Sequence, residues 1–178
     1  MEDQELLLKI KNEESRNYGF NLLVRKYQER IYWLVRKMVI DHDDADDLVQ
    51  EIFIKVWQHL DQYRSDSKLF TWIYRIAVNE CLGFLRKKKK RFLLPIVNVE
   101  NELSKKIDDS SQMDGDEIQL KLQKALLTLP EKQRLVFNMK YYDELKYEEM
   151  AEILGGTTGS LKASYHHAVK KIESYLTK

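Results

Sequence analysis

The chain has 178 residues, 43% of them apolar and 33% charged, which is ordinary for a soluble globular protein. No apolar run approaches the ~18 residues that a membrane span needs. The acidic N-terminus MEDQELLLKIKNEES lacks the basic start and apolar core of a signal peptide. The single cysteine, Cys81, cannot form an internal disulfide and is predicted to pack in a core. These features predict an intracellular protein of one or two small domains.

The net charge of +1 conceals three blocks of different sign. Residues 1–92 carry a net +3, residues 93–117 a net −5 and residues 118–178 a net +3. This pattern predicts two modules that contact polyanions, joined by a connector that avoids or mimics them.

Apolar residues at helical spacing predict four helices in the first block. A short helix at about 4–11 and a longer one at 18–39 precede a third, which starts in HDDADD at 42–47. Acidic residues are favourable there because they meet the free N–H groups and the positive end of the helix dipole. The fourth helix is predicted at 69–91, after the polar loop QYRSDSK at 62–68.

The third helix has an apolar side and, opposite it, a side of acid and amide groups. Such a pattern is usually a solvated face, and a protein-docking face is the other interpretation. His42 among aspartates suggests a metal or acid–base cluster, but its spacing fits no ligand set and the helix start explains the acids. The docking hypothesis concerns Asp44, Asp47, Gln50, Glu51 and Gln58.

Aromatic and cationic side chains are concentrated around the polar loop and the fourth helix. Aromatic rings can stack on unpaired bases, so the spacing leaves base contact and core packing equally open for Tyr63 and Trp72. Phe70 and Tyr74 are predicted to pack in the core. The helix ends in RKKKKR at 86–91, more cations than a helix dipole needs, which predicts a sequence-independent phosphate contact. A nuclear-localisation signal is the other interpretation of this run.

Residues from about 93 to 116 are rich in Asn, Ser, Asp and Gly and contain no aromatic residue, which predicts a flexible acidic linker. The helical pattern returns at Glu117, and Pro130 marks a break or a first turn. We therefore predict an all-α fold of two small helical domains, residues 1–92 and 117–178.

The chain ends in a predicted helix, a tight turn and a second helix, the arrangement of a helix-turn-helix. Gly155 and Gly156 break the first helix because glycine tolerates positive φ, and Thr157 or Thr158 can cap the second. A plain helical hairpin is the alternative. The buried face of the second helix would carry Leu161, Tyr165, Ala168 and Ile172. The face left for a DNA major groove would carry Thr158, Lys162, His166, His167 and Lys170.

No motif indicates catalysis, because the chain has no phosphate loop, no nucleophile elbow and no CxxC pair. His166 and His167 are adjacent and cannot both bind a metal from one helix face. We predict a protein that is not an enzyme and has no cofactor, no metal and no small-molecule substrate.

Three segments, in this order, resemble the extracytoplasmic-function (ECF) sigma factors of bacteria, the minimal two-domain members of the housekeeping sigma family. They are DDADDLVQEIFIKVWQHL, YRSDSKLFTWIYRIAVNECLGFLRKKKKR and LPEKQRLVFNMKYYDELKYEEMAEILGGTTGSLKASYHHAVKKI. TWIYRIAVN is the specific motif, whereas the helix-turn-helix alone would be weak. The resemblance implies a cytoplasmic bacterial subunit that brings core RNA polymerase to promoters and opens the DNA.

By this resemblance, residues 1–92 are sigma region 2, which docks on the β′ clamp coiled coil and melts the minus-ten element. The linker would thread toward the polymerase active centre, and region 4 would contact the β flap and the minus-thirty-five element. The implied positions are Asp44, Asp47, Gln50 and Glu51 for polymerase; Tyr63, Arg64, Ser65, Asp66, Trp72, Arg75 and Asn79 for the minus-ten element; Arg86, Lys87, Lys88, Lys89, Lys90 and Arg91 for phosphates; and Thr157, Thr158, Lys162, Ser164, His166, His167 and Lys170 for the minus-thirty-five element.

The resemblance also implies control by an anti-sigma factor that masks the polymerase-binding faces. One departure concerns the recognition helix, where SLKASYHHA stands in place of arginine-containing patterns such as TVKSRLHRA. Fewer arginines allow fewer bidentate contacts with guanine, so we expect a changed or weaker minus-thirty-five preference with more phosphate and shape readout.

Two other functions would each use part of the chain. A stand-alone helix-turn-helix regulator leaves the aromatic loop, the acid–amide face and the acidic linker unexplained, and such regulators usually dimerise. An RNA-binding helical protein would use RKKKKR but leave the helix-turn-helix without a role.

Overall fold

The computed structural model describes residues 2–91 and 117–177, so the predicted linker at 93–116 lies outside the described residues. Within this part of the chain every regular element is helical, which confirms the all-α prediction. The N-terminal half (2–91) contains α1 (Asp3–Lys11), α2 (Arg16–Val39), α3 (His42–His59), a 3-10 turn (Leu60–Gln62) and α4 (Leu69–Arg91). The C-terminal half (117–177) contains α5 (Glu117–Leu127), α6 (Glu131–Tyr141), α7 (Tyr147–Leu154) and α8 (Thr158–Leu176).

The helix starts follow from local hydrogen bonding. Asp41 caps α3, because its side chain accepts a hydrogen bond from the Asp44 backbone N–H at 3.0 Å. Thr157 caps α8 by accepting from the Ser160 N–H at 3.1 Å, which decides between the two threonines that the sequence offered. Both caps satisfy an N–H group that has no partner within the helix.

The turn between α7 and α8 depends on two glycines. Gly155 has φ +73° and Gly156 has φ +88°, both in the left-handed region that side chains with a Cβ rarely adopt. The turn therefore ends α7 sharply and sets the angle at which α8 leaves it, as the helix-turn-helix prediction requires.

A large core joins α2, α3 and α4 through residues such as Ile31, Ile52 and Ile73, all of them fully buried. Cys81 lies in this core, as predicted, and burial raises the pKa of its thiol to about 12. A smaller core joins α5, α6 and α8 around Ala125, Phe137, Ala168 and Ile172. Among the described residues, no helix is both long enough and apolar enough to cross a membrane.

The large core does not stop at the N-terminal half. Buried residues of the C-terminal half belong to it, including Met139 of α6, Met150 of α7 and Leu161 of α8. Helix α7 packs directly on α4, and α6 contacts α2. The two halves are therefore docked on each other, and α7 approaches the N-terminal side of α4.

Candidate functional site

The loop before α4 forms one wall of an open cavity of about 470 Å³. This volume lies within the roughly 300–1,000 Å³ that ligand clefts usually have. Its lining combines rings, cations and polar groups: Gln62, Tyr63, Arg64, Asp66, Ser67, Thr71, Trp72, Arg75 and Glu152. Five of the residues that the resemblance implies for the minus-ten element thus share one surface.

Two aromatic rings form the back of this cavity. The Trp72 side chain is only 9% exposed and meets the Tyr63 ring with centroids 5.3 Å apart and a 47° angle between the planes. The Tyr63 hydroxyl donates a hydrogen bond to the Ser67 carbonyl at 2.5 Å, which closes the loop on itself. Burial raises the pKa of the Tyr63 hydroxyl, so it stays a donor at neutral pH. The sequence left packing and base contact open for both rings, and the structure gives them packing contacts and a place in the cavity lining.

The other two implied positions lie beside the cavity rather than in its lining. Ser65 is at the loop tip with φ +61°, and Asn79 is exposed on α4, one turn after Arg75. Gln62, Ser67, Thr71 and Glu152 line the cavity and were not predicted. Gln62 and Ser67 belong to the loop QYRSDSK, and Thr71 precedes Arg75 by one helical turn. The sequence could therefore have indicated that these three residues lie next to the predicted site residues. Glu152 belongs to α7, and nothing in the local sequence indicates its approach.

The acid–amide side of α3 is an open face. Asp47, Gln50 and Glu51 are exposed on it, together with Gln58. Asp44 differs from them, because its carboxylate pairs with Lys88 Nζ at 2.6 Å. The sequence analysis missed Ile54, which is 57% exposed and lies at helical spacing between Asp47 and Gln58. Single exposed apolar side chains are common on protein surfaces, so Ile54 gives this face an apolar centre without by itself marking it as a docking surface.

The cationic run at the end of α4 is not uniform. Arg86 and Lys87 are exposed, whereas the Lys88 chain passes the Phe84 ring, with Nζ 5.5 Å from the centroid, to reach Asp44. Lys88 is therefore partly neutralised by α3. The side chains of Lys89, Lys90 and Arg91 lie outside the described residues.

Helix α8 presents a polar face opposite its buried residues. Lys162, His166, His167 and Lys170 are exposed there, and Thr158 is half-buried at the helix start. Ser164 is half-buried and points about 160° away from His166 around the helix, so it does not share the centre of this face. His167 and Lys170 also line a shallow cavity of about 420 Å³ with Thr128, Lys171, Ser174 and Tyr175. The face is cationic and sterically open.

Comparison with known proteins agrees with this division of the chain. The profile of sigma-70 region 2 matches residues 23–91, and the profile of sigma-70 region 4 matches residues 119–172. The chain is 30% identical to the RNA polymerase sigma-H factor of Pseudomonas aeruginosa, over 98% of this chain and 94% of that protein. It is 31% identical to the ECF RNA polymerase sigma-E factor of Escherichia coli K12, over 97% of this chain and 93% of that protein.

Two solved structures share the fold. One is the sigma factor RpoE of Bartonella quintana in complex with the anti-sigma factor NepR, with a TM-score of 0.69 at 22% identity over 89% of this chain and 96% of that one. The other is CnrH in complex with the cytosolic domain of CnrY, with a TM-score of 0.71 at 20% identity over 98% of both chains.

The chain belongs to the ECF sigma factors, and it carries sigma regions 2 and 4. It directs transcription initiation as a non-catalytic subunit of RNA polymerase. This assignment confirms the predicted function and decides against the stand-alone regulator and the RNA-binding protein. From here the N-terminal half is called region 2 and the C-terminal half region 4.

Proposed function

We propose that the cavity before α4 holds an unpaired base of the minus-ten element. The observation that carries this proposal is the combination of the Tyr63 and Trp72 rings with the guanidinium groups of Arg64 and Arg75 at one cavity. A base taken out of the duplex loses its stacking, and an aromatic ring restores it at about 1–3 kcal/mol per base. Loop polar groups, among them Ser65 and Asp66, would bond the base edge, while Asn79 would contact the strand one turn further along α4.

The exposed face of α3 would dock on core RNA polymerase, at the β′ clamp coiled coil. Asp47, Gln50 and Glu51 would make polar contacts, and Ile54 would supply an apolar anchor of the kind that dominates interface energetics. Asp44 would act at the edge of this face, because Lys88 holds its carboxylate.

Duplex DNA would be held at two further places. Arg86 and Lys87, followed in the chain by Lys89, Lys90 and Arg91, would neutralise phosphates near the minus-ten element, whereas Lys88, which pairs with Asp44, would contribute little. The open face of α8 would enter the major groove of the minus-thirty-five element, with Thr157 and Thr158 at its start. Ser164, which points away from the centre of this face, would contribute at most at its edge.

Regulation and domain limits complete the proposal. The structural neighbour from Bartonella quintana is bound to an anti-sigma factor, and we propose an anti-sigma factor for this chain too. Region 4 would also contact the β flap, and the subunit would act in the bacterial cytoplasm. The domain limits 1–92 and 117–178 and the linker 93–116 remain part of the proposal.

Co-purification with bacterial core polymerase, followed by transcription from a pool of random promoters, tests this function. We expect a stable complex and start sites that share two spaced elements. Asp47→Lys with Glu51→Lys should abolish capture by core polymerase, whereas Glu13→Lys with Glu14→Lys, an equal charge change at exposed positions between α1 and α2, should not. Equal capture of both double variants would place the docking surface elsewhere.

A further inference from the structure

The contact between the two regions is specific as well as apolar. The buried Tyr74 of α4 donates its hydroxyl hydrogen to Asp143 Oδ2 at 2.6 Å, just after α6. Lys37 of α2 lies 3.7 Å from the other Asp143 oxygen and 4.2 Å from the centroid of the Tyr142 ring. Two helices of region 2, α2 and α4, thus meet one loop of region 4, and these contacts fix how region 4 sits on region 2.

A second polar contact joins region 4 to the loop before α4. Lys68 Nζ donates to Glu149 Oε1 at 2.6 Å, while Glu149 Oε2 accepts from the Lys146 backbone N–H and caps α7. The hydrogen bond from Lys68 lowers the pKa of the Glu149 carboxyl, so the pair is ionised at neutral pH. A loop lysine next to the candidate base cavity is therefore engaged by an acid of region 4.

The same helix closes part of the cavity. Glu152 lies one turn after Glu149 on α7, and its side chain lines the cavity together with Arg64 and Arg75. A carboxylate at this rim repels phosphate and compensates the two guanidinium groups, which are the groups that would attract DNA. Region 4 therefore presents acid to the surface that reads nucleic acid in region 2.

From these contacts we infer that α7 is an internal cover of the minus-ten cavity. In the free protein, Glu149 and Glu152 occupy the approach of a DNA strand, and the cavity becomes available when region 4 leaves region 2. The inference rests on the proposed function of the cavity. The chain permits such a separation, because the 25 residues from 92 to 116 can reach at most about 80–90 Å when fully extended.

Docking in solution can be tested on the full-length protein with a zero-length carbodiimide, which joins an amine to a carboxylate in direct contact. The monomer fraction is digested and its cross-linked peptides are identified by mass spectrometry. We expect a Lys68–Glu149 amide link in the wild type and its loss in Glu149→Gln. Absence of the link in the wild type would overturn the inference.

The cover itself is tested by binding of a labelled single-stranded oligonucleotide of random sequence, without polymerase. If the cavity is open in about one molecule in ten, Glu149→Gln with Glu152→Gln should raise affinity up to about tenfold. Glutamine at 149 can still cap α7. The matched control is Glu144→Gln with Glu148→Gln, an equal charge change at exposed positions. We expect it to raise affinity by less than about twofold.

Adding Arg75→Ala to the first double variant should remove the gain, because Arg75 lines the cavity and is exposed. An equal gain in both double variants, or a gain that survives Arg75→Ala, would overturn the inference. These outcomes are independent of the polymerase experiment. Failure of the cover would leave polymerase capture intact, and failure of polymerase capture would leave the cross-link and the oligonucleotide results unchanged.

Discussion

The cavity before α4 and the two open helix faces differ in how they are built. The cavity depends on tertiary contacts, since Trp72 is largely buried, packs against the Tyr63 ring and belongs to the large core. The faces of α3 and α8 need only a helix with its opposite side buried, because their polar residues have few partners in the described part of the chain. A cavity residue thus serves fold and function together, whereas a face residue can serve function alone.

This difference fits the two tasks proposed for the cavity and for the faces. Holding a flipped base requires a preformed and partly dry pocket, because unstacking is offset only by contacts that are already in place. Docking on a partner or entering a major groove requires an accessible, complementary surface, and the helix supplies the spacing. Substitutions that separate stability from partner binding therefore test the comparison directly.

The largest effect is expected for Trp72→Ala. It should cost about 3–5 kcal/mol of folding stability, because it leaves a cavity in the core and removes the partner ring of Tyr63. Promoter opening should be lost as well, whereas Trp72→Phe should keep most of both properties. Chemical denaturation and permanganate footprinting of melted bases measure the two effects. Normal opening by a folded Trp72→Ala protein would remove Trp72 from the base site.

The same distinction explains what the sequence could predict. Periodicity predicted the helices of the described residues, and the acid–amide pattern predicted the exposed face of α3, because helix position alone decides which side is exposed. The exposed Ile54 had the same signal, since it follows Asp47 by seven residues, but the prediction for that face named only acid and amide groups.

Contacts between distant residues could not be predicted in this way. The sequence predicted that RKKKKR acts as a uniform phosphate contact. In the structure Lys88 instead pairs with Asp44, which lies 44 residues earlier in the chain. Glu152 reaches the cavity only because region 4 docks on region 2, which depends on tertiary packing rather than on local pattern. The ambiguity at Tyr63 and Trp72 had the same origin, because helical spacing does not distinguish a core ring from one at the wall of a cavity.

Ile54→Glu should separate partner binding from stability on the α3 face. We expect core polymerase binding to weaken by about 2 kcal/mol, roughly 30-fold in Kd, because an apolar anchor becomes a charge at the centre of the face. Folding stability should change by less than about 0.5 kcal/mol, since Ile54 is mostly exposed. Leu8→Glu, at an exposed apolar position on α1, is the matched control. Fluorescence anisotropy with core polymerase measures the Kd of each variant. Equal binding by the two variants would contradict an anchor role for Ile54.

Thr157→Ala tests how much the N-cap of α8, the helix with the open face, contributes to folding stability. Loss of the cap to the Ser160 N–H should lower folding stability by about 1 kcal/mol. Thr158→Ala is the control, because Thr158 is the first residue of the helix and does not cap it. Denaturant midpoints at constant m-value give the difference between the two variants. Equal destabilisation would mean that the cap contributes no more than its neighbour.

The smallest effect should come from two adjacent lysines of the cationic run. Lys87→Ala should reduce the slope of log K against log salt for DNA binding by the holoenzyme by about 0.9, the contribution of one phosphate contact. Lys88→Ala should change this slope much less, because its ammonium group already pairs with Asp44 at 2.6 Å and has little charge to offer DNA. A surface ion pair of this kind contributes about 0–1 kcal/mol, so folding stability should fall only slightly. Equal slopes for the two variants would show that Lys88 leaves Asp44 when DNA binds, and the cationic run would then act as one open surface after all.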